Sequence, residues 1–429
     1  MRRLRGSFFV AFWCAFAAVA GTRASQPALA PLPEPDPVLT AAALLGATPP
    51  AGDGYTIDPA VRTPDTYHVF TITSPFGTFE AVGLAQVEVR LQEIAAMRRL
   101  EELSKAGVFA RSAGESLVKV GTGVVNAVSD PVETAKGIGG GVKRFGVNLG
   151  RRTRRAVQRL TDDTPGSGDP GPGTGARVGG AAASAAKSLV GINGARRRWA
   201  RRVGADPYTT NPVLKDALER VAAVDAAGGI ATSVVVPIPP IVGTTAKVGD
   251  LVWGTDPEEL RKLNEQRARD IGATSDDANA FFRNRAFTLT MQTRLVAALA
   301  AVGVPGTGDY LASAAEAADE REALFFVESA ELLQREHETA AVARVLTDSR
   351  ALVAGRADGE AIVVLPFDWL RATGTTSAEF AELARRATAE LSASRRRLVV
   401  SGTVTETATA ALGAAGWRRQ ATVTPVRSR

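Results

Sequence analysis

The sequence predicts a mostly α-helical chain with an N-terminal β-hairpin and a small C-terminal α/β or α+β module. Three observations carry that expectation. Apolar residues recur at three- and four-residue steps over long stretches before residue 348. A strictly alternating segment runs into a Pro-Gly turn ahead of them. Beyond residue 350, short apolar runs alternate with helical ones.

Residues 1–24 read as a secretory signal peptide. Arg2, Arg3 and Arg5 form a basic start, and the apolar run Phe8 to Ala20 is short for a bilayer span. Cleavage fits after Ala24 or after Ala20. Cys14, the single cysteine, lies inside this run, so the mature chain has no disulfide, thiolate zinc site or cysteine nucleophile. Residues 25–64, rich in Pro, Ala and Thr, read as a flexible leader.

The hairpin follows. Tyr67, Val69 and Thr71 alternate with His68, Phe70 and Ile72, Ser74-Pro75-Phe76-Gly77 is a turn, and Thr78 to Val82 returns. Leu84, Val87, Leu91, Ile94, Met97, Leu100 and Leu103 then mark a helix, with Arg98–Glu102 and Glu101–Lys105 spaced for surface ion pairs. Core packing is the expected role of its stripe. Residues 114–160 hold a second apolar stripe broken by Gly137, Gly139, Gly140, Gly141, Gly146 and Gly150. Each glycine weakens a helix by about 1 kcal/mol relative to alanine. The hairpin and these helices form one unit, 65–160.

Residues 161–180 read as a Gly/Pro linker. A helical domain, 181–345, comes next. In it Asn211-Pro212 and Asp256-Pro257 are helix starts, Phe287 to Val302 is the most apolar helix, Val304 to Tyr310 is a loop, and a long helix carries Leu324, Val327, Glu331 and Leu333. The module 346–429 has a hairpin around Arg356-Ala357-Asp358-Gly359, a helix from Ser377 to Leu391, a strand at Leu398-Val399-Val400, a helix from Thr403 to Ala415 and a last strand from Trp417.

Charge is unevenly spread. The net charge of +6 includes four signal-peptide arginines. Residues 136–205 hold 15 Lys and Arg against three Asp, a net +12, which the rest of the mature chain nearly balances. Such a belt attracts phosphate-bearing surfaces. Its proposed anion-binding residues are Lys143, Arg144, Arg151, Arg152, Arg154, Arg155, Arg197, Arg198, Arg201 and Arg202. Export favours an anionic lipid surface, or an acidic face of the same protein. Nucleic acid is disfavoured, since the belt offers only Phe145 and Trp199 for stacking.

Catalytic signatures are sparse. His68 lies in the hairpin, and His337 sits among Glu331, Glu336 and Glu338, as a base with carboxylate partners or as part of a solvated helix face. No metal site or cofactor is expected: the histidines are two, and no D-x-D-x-D-G loop occurs. Ala181 and Ala186 stand where a P-loop before Lys187-Ser188 needs glycine, the glycines at 137–141 miss the dinucleotide spacing, and no G-x-S-x-G elbow occurs. Ser401-Gly402 ahead of a helix reads as a strand-to-helix turn or an anion contact.

The most motif-like string is D-P-Y-T-T-N-P, 206–212. Asp206, Tyr208, Thr209 and Asn211 form a polar contact site, or a turn and helix cap. This string, with S-P-F-G-T-F-E at 74–80, resembles uncharacterised exported proteins of bacteria. The resemblance implies export and no activity, so it assigns no catalytic residue.

Three functions are weighed. The first is an exported, non-enzymatic protein touching an anionic membrane, with self-association or a protein partner through its helices. The second is a membrane-active or pore-forming effector using residues 114–150 and 228–252. The third is a periplasmic enzyme with carboxylates such as Asp206, Asp309 or Asp368.

Overall fold

The computed structural model of the chain describes residues 37–105, 178–226, 240–373 and 376–420. Its N-terminal part is antiparallel. β1 (Leu39–Thr40) leads into α1 (Ala41–Leu44) and pairs with β4 (Ala60–Val61). β2 (Ala51–Gly52), β3 (Tyr55–Ile57), β5 (Val69–Ser74) and β6 (Gly77–Val82) form a four-stranded meander. The β5–β6 turn is the expected one. Gly77 takes φ +124°, and the Ser74 hydroxyl donates to its carbonyl at 3.0 Å.

Residues 37–64 depart from the flexible leader that composition suggests. Ala41, Leu45, Ile57 and Val61 are buried in the N-terminal core. Strands of two or three residues are too short to display an alternation, so the proline-rich composition dominated the reading.

α2 (Leu84–Lys105) packs on β6, α3 (Val178–Val203) and α4 (Pro212–Ala226). Its stripe buries Val87, Ile94, Met97 and Leu100, and both expected surface ion pairs form, Arg98–Glu102 at 3.8 Å and Lys105–Glu101 at 2.9 Å. The expected linker is described only at 178–180, which already belong to α3.

A run of capped helices follows: α5 (Ala246–Gly254), α6 (Pro257–Asp270), α7 (Ser275–Arg283), α8 (Leu289–Val302), α9 (Thr307–Ala314) and α10 (Glu320–Thr339). Thr245, Asp256, Thr274, Thr288 and Asp319 each accept a hydrogen bond from a first-turn N–H, the reason these boundaries are sharp. α9 begins inside the expected 304–310 loop, entered through Gly306 at φ +94°.

The C-terminal sheet has the order β13-β11-β9-β8-β7, built from β7 (Val342–Val345), β8 (Leu352–Arg356), β9 (Glu360–Leu365), β11 (Arg395–Val400) and β13 (Arg418–Arg419). β7, β8 and β9 are antiparallel. α11 (Thr376–Leu391) and α12 (Glu406–Ala414) carry the crossovers that make β9, β11 and β13 parallel. A short parallel pair, β10 (Trp369–Leu370) and β12 (Thr403–Val404), flanks it. Ala361 to Leu365 are all buried, as in a strand covered on both faces. β7 precedes the expected module border at 346, because its Val-Ala-Arg-Val run is indistinguishable from a helix end by sequence.

β5 joins the two halves. Phe70 and Ile72 enter the N-terminal core with α2, whereas Tyr67 and Val69 enter the large core built from α7 to α10 and the C-terminal sheet. A strand's two-residue period alone puts these pairs on opposite faces. Gly402, beside β12, sits where an added Cβ would stand 2.1 Å from the Asp368 carbonyl oxygen. Gly402→Ala is expected to destabilise the fold by about 1–3 kcal/mol, read as a lowered urea midpoint at unchanged slope.

Candidate functional site

The D-P-Y-T-T-N-P string forms the loop between α3 and α4, and it makes the turn and helix cap that its composition suggests. The Asn211 side chain accepts from Val213 N–H at 3.0 Å and Leu214 N–H at 3.3 Å, which caps α4. Its amide also donates to Glu93 Oε2 at 3.0 Å, and the Thr209 hydroxyl donates to Glu93 Oε1 at 2.5 Å. Arg90, one turn before Glu93 on α2, completes the shell of this buried carboxylate at 2.7 Å. The loop is thereby anchored on a helix more than a hundred residues away in sequence.

Above this anchor lies a cleft of about 750 Å³ of open space, its mouth included, between α2, residues 205–210, residues 241–243, α8 and α10. Asp206 faces it. Its Oδ1 accepts from the Thr290 hydroxyl at 2.6 Å and the Tyr208 N–H at 2.8 Å. Burial pushes its carboxyl up to about 6, against those two hydrogen bonds and with help from the neighbouring Glu93 charge. Glu320, at the first turn of α10, accepts from Thr210 at 3.0 Å and lies 3.8 Å from Arg90. Glu328 is held by Arg321. Arg294 on α8 reaches the same wall, clasped by Glu331 through two bonds of 2.8 and 2.9 Å. Tyr208 lines the cleft too, with the Arg196 guanidinium 5.5 Å above its ring.

The sequence singled out Asp206, Tyr208, Thr209 and Asn211 and missed Glu93, Glu320, Glu328 and Arg294. A trace of them was present. Gln86 and Glu93 occupy the same helix face as Met97 and Leu100, and Arg321 and Glu328 that of Phe325 and Leu332. Polar side chains recurring on an apolar stripe mark buried charge.

Four described arginines of the basic belt turn to the protein's own carboxylates. Arg197 lies 3.5 Å from Asp256, Arg198 2.8 Å from Asp225 and Arg201 3.7 Å from Asp250. Arg196 is 3.8 Å from Glu219, and Arg202 stacks over Trp199 at 4.8 Å. This stretch is close to charge balance rather than a bare positive surface. Lys143, Arg144, Arg151, Arg152, Arg154 and Arg155 lie outside the described residues.

The other candidates are dispersed. Asp309 accepts the Asp348 N–H at 2.5 Å beside α9, and Asp368 sits between β9 and β10. His68 is buried, 2.7 Å from the Thr63 hydroxyl, and burial pushes its ring down to about 4, so it is neutral. His337 Nδ1 accepts the Val342 N–H at 3.2 Å where α10 ends. Ser401 donates to the Phe367 carbonyl at 3.2 Å. Among the described residues, no group of three or more His, Cys, Asp and Glu could hold a metal ion.

No protein-family model matches this chain, and no curated protein or solved structure is significantly similar to it.

Two outcomes are expected. Glu93→Ala strands Arg90 and the Thr209 and Asn211 donors, and is expected to cost about 3–5 kcal/mol in chemical unfolding. The raised carboxyl of Asp206 binds its proton more tightly in the folded chain. Its stabilising contribution is therefore full below about 4 and is lost as pH rises to about 6. Asp206→Asn should flatten that part of the stability–pH curve, with a gain of up to about 3 kcal/mol relative to the parent above pH 6. An unchanged curve would exclude this role.

Proposed function

We propose that the chain is a non-enzymatic binding protein whose cleft takes a small ligand with a cationic head and an apolar body. The supporting observation is the charge of the cleft walls. Glu93, Glu328 and Arg294 on these walls are paired with Arg90, Arg321 and Glu331, which leaves Asp206 and Glu320 as the carboxylates with capacity to spare. Val89, Ile241, Val242, Met291 and Leu324 supply apolar wall. Glu93 is saturated by its three donors. The second oxygens of Asp206 and Glu320 make no hydrogen bond among the described residues, so they are the acceptors for an ammonium or guanidinium group. Such a head would be desolvated against matched charge, and the apolar wall would cover the rest of the ligand.

Acid–base catalysis on Asp206 is the second reading. The raised pKa of a carboxyl open to a cleft favours it. Export is proposed on the basic start and apolar run of residues 1–24. Contact with an anionic lipid surface is proposed for Lys143, Arg144, Arg151, Arg152, Arg154 and Arg155 on charge alone. Among the described residues, no helix is long and apolar enough to cross a membrane. The pore-forming alternative draws on residues 114–150 and 228–252, which are described only at 240–252, a loop and α5.

Thermal unfolding in the presence of benzylamine, phenethylamine and spermidine, with benzoate as the anionic control, tests the cleft. The amines are expected to raise Tm, by about 2.7 kcal/mol of stability at a hundred times Kd. Asp206→Asn and Glu320→Gln should remove the shift. An equal shift with benzoate, or no shift with any amine at millimolar concentration, overturns the reading.

A further inference from the structure

Two carboxylates of the cleft use only half of their hydrogen-bonding capacity. Asp206 Oδ1 accepts from the Thr290 hydroxyl at 2.6 Å and the Tyr208 N–H at 2.8 Å, and its Oδ2 makes no hydrogen bond among the described residues. Glu320 Oε1 accepts from the Thr210 hydroxyl at 3.0 Å and the Gln86 amide at 3.5 Å, and its Oε2 likewise makes none. The two share no donor. α8 and a local turn hold the first, whereas α2 and Thr210 hold the second.

Charge sets how many cationic groups this pair can take. The other ionised groups on the cleft walls come already matched: Glu93 with Arg90 at 2.7 Å, Arg294 with Glu331 at 2.8 Å, and Glu328 with Arg321. Arg90 also stands 3.8 Å from Glu320, beyond hydrogen-bond distance and already bonded to Glu93. Among the described residues the walls therefore carry the charges of Asp206 and Glu320 in excess. A ligand with one cationic head matches one of them and leaves the other unmatched beside an apolar wall, which is costly. A single divalent metal ion is a poor complement, because no group of three or more His, Cys, Asp and Glu among the described residues could hold one.

The loop keeps the two charges apart but close. Pro207 is the second residue of a turn closed by the Thr209 N–H on the Asp206 carbonyl at 3.3 Å. Such a turn holds its end Cα atoms within about 7 Å. Thr210, which holds Glu320, is one residue further on, so the two anchor points are at most about 11 Å apart. A short methylene chain bridges that span. Val89, Met291 and Leu324 line the same cleft and suit methylenes rather than a polar linker.

We propose that the ligand is an aliphatic diamine, with one ammonium on Asp206 Oδ2, the other on Glu320 Oε2 and its methylene chain against the apolar wall. The proposal deepens the reading of the cleft as a site for a cationic head and rests on it. Once the first ammonium is seated, engaging the second is an intramolecular step, so the two contacts multiply in affinity.

Calorimetric titration at pH 8, where Asp206 is ionised, compares putrescine with butylamine and with N-acetylputrescine, which keep the four-carbon chain and lose one charge. Putrescine is expected to bind at least about tenfold more tightly than either. In Asp206→Asn and in Glu320→Gln that gap should shrink to the factor of about two owed to a ligand with two equivalent heads. Benzylamine, titrated alongside, separates the two levels of the reading. Binding of benzylamine together with equal affinities for putrescine and butylamine overturns the diamine and leaves the cationic-head cleft standing. No binding of any amine at millimolar concentration overturns both. A putrescine advantage that survives in both variants puts the second ammonium elsewhere and overturns the proposal. If either variant fails to fold, the wild-type comparison of putrescine with N-acetylputrescine decides.

Discussion

The architecture depends on one strand being buried on both faces. β5 sends Phe70 and Ile72 into the N-terminal core, whereas its first residue Val69, with Tyr67 just before it, enters the large core. A one-residue slip in its pairing with β6 would exchange the two sets and break both cores together. The Ser74–Gly77 turn prevents that slip, because Gly77 holds a backbone conformation that a side chain rarely adopts. The pairings of the Thr66 carbonyl with the Asp368 and Trp369 N–H groups, and the contact of Asp368 with His68, lie directly before this strand and depend on that register.

Buried charge is the second organising element. Several of the described arginines are spent on ion pairs inside the molecule. Arg356 and Arg397 share Glu336 and Glu360 beneath the C-terminal sheet, at 2.7 to 3.2 Å. Arg294 is clasped by Glu331, and Arg90 by Glu93. Removing one partner from such a set is far more damaging than replacing the whole set by apolar groups. These networks therefore specify which elements meet more than they add stability. The cleft and the surroundings of Asp368 adjoin through Glu328, which lines the cleft and pairs with Arg321.

The same principle bears on how a charge pattern along the chain is read. A run such as Arg196-Arg197-Arg198 and Arg201-Arg202 appears as an unopposed positive stripe when its partners are out of sight. Asp225, Asp250 and Asp256 stand 27 to 59 positions later, on α4, on α5 and at the cap of α6. Exposed pairs of this kind contribute little energy each. They still cancel the local field on which an attraction to phosphate surfaces would depend.

Local chemistry alone determined the hairpin and its turn, the helix starts at Pro212 and Pro257, the stripe of α2 and the mixture of strands and helices at the C-terminal end, because caps, turns and periodicity act within a few residues. It also named Asp206 and Asn211, whose turn and cap roles are local. Tertiary structure alone decided that residues 37–64 fold, that the 206–211 loop closes over Glu93, and that Asp368 meets His68 and Leu84. Those outcomes need groups tens to hundreds of residues apart to share one buried site. Nothing in the neighbourhood of either partner records the energy of leaving the other unpaired.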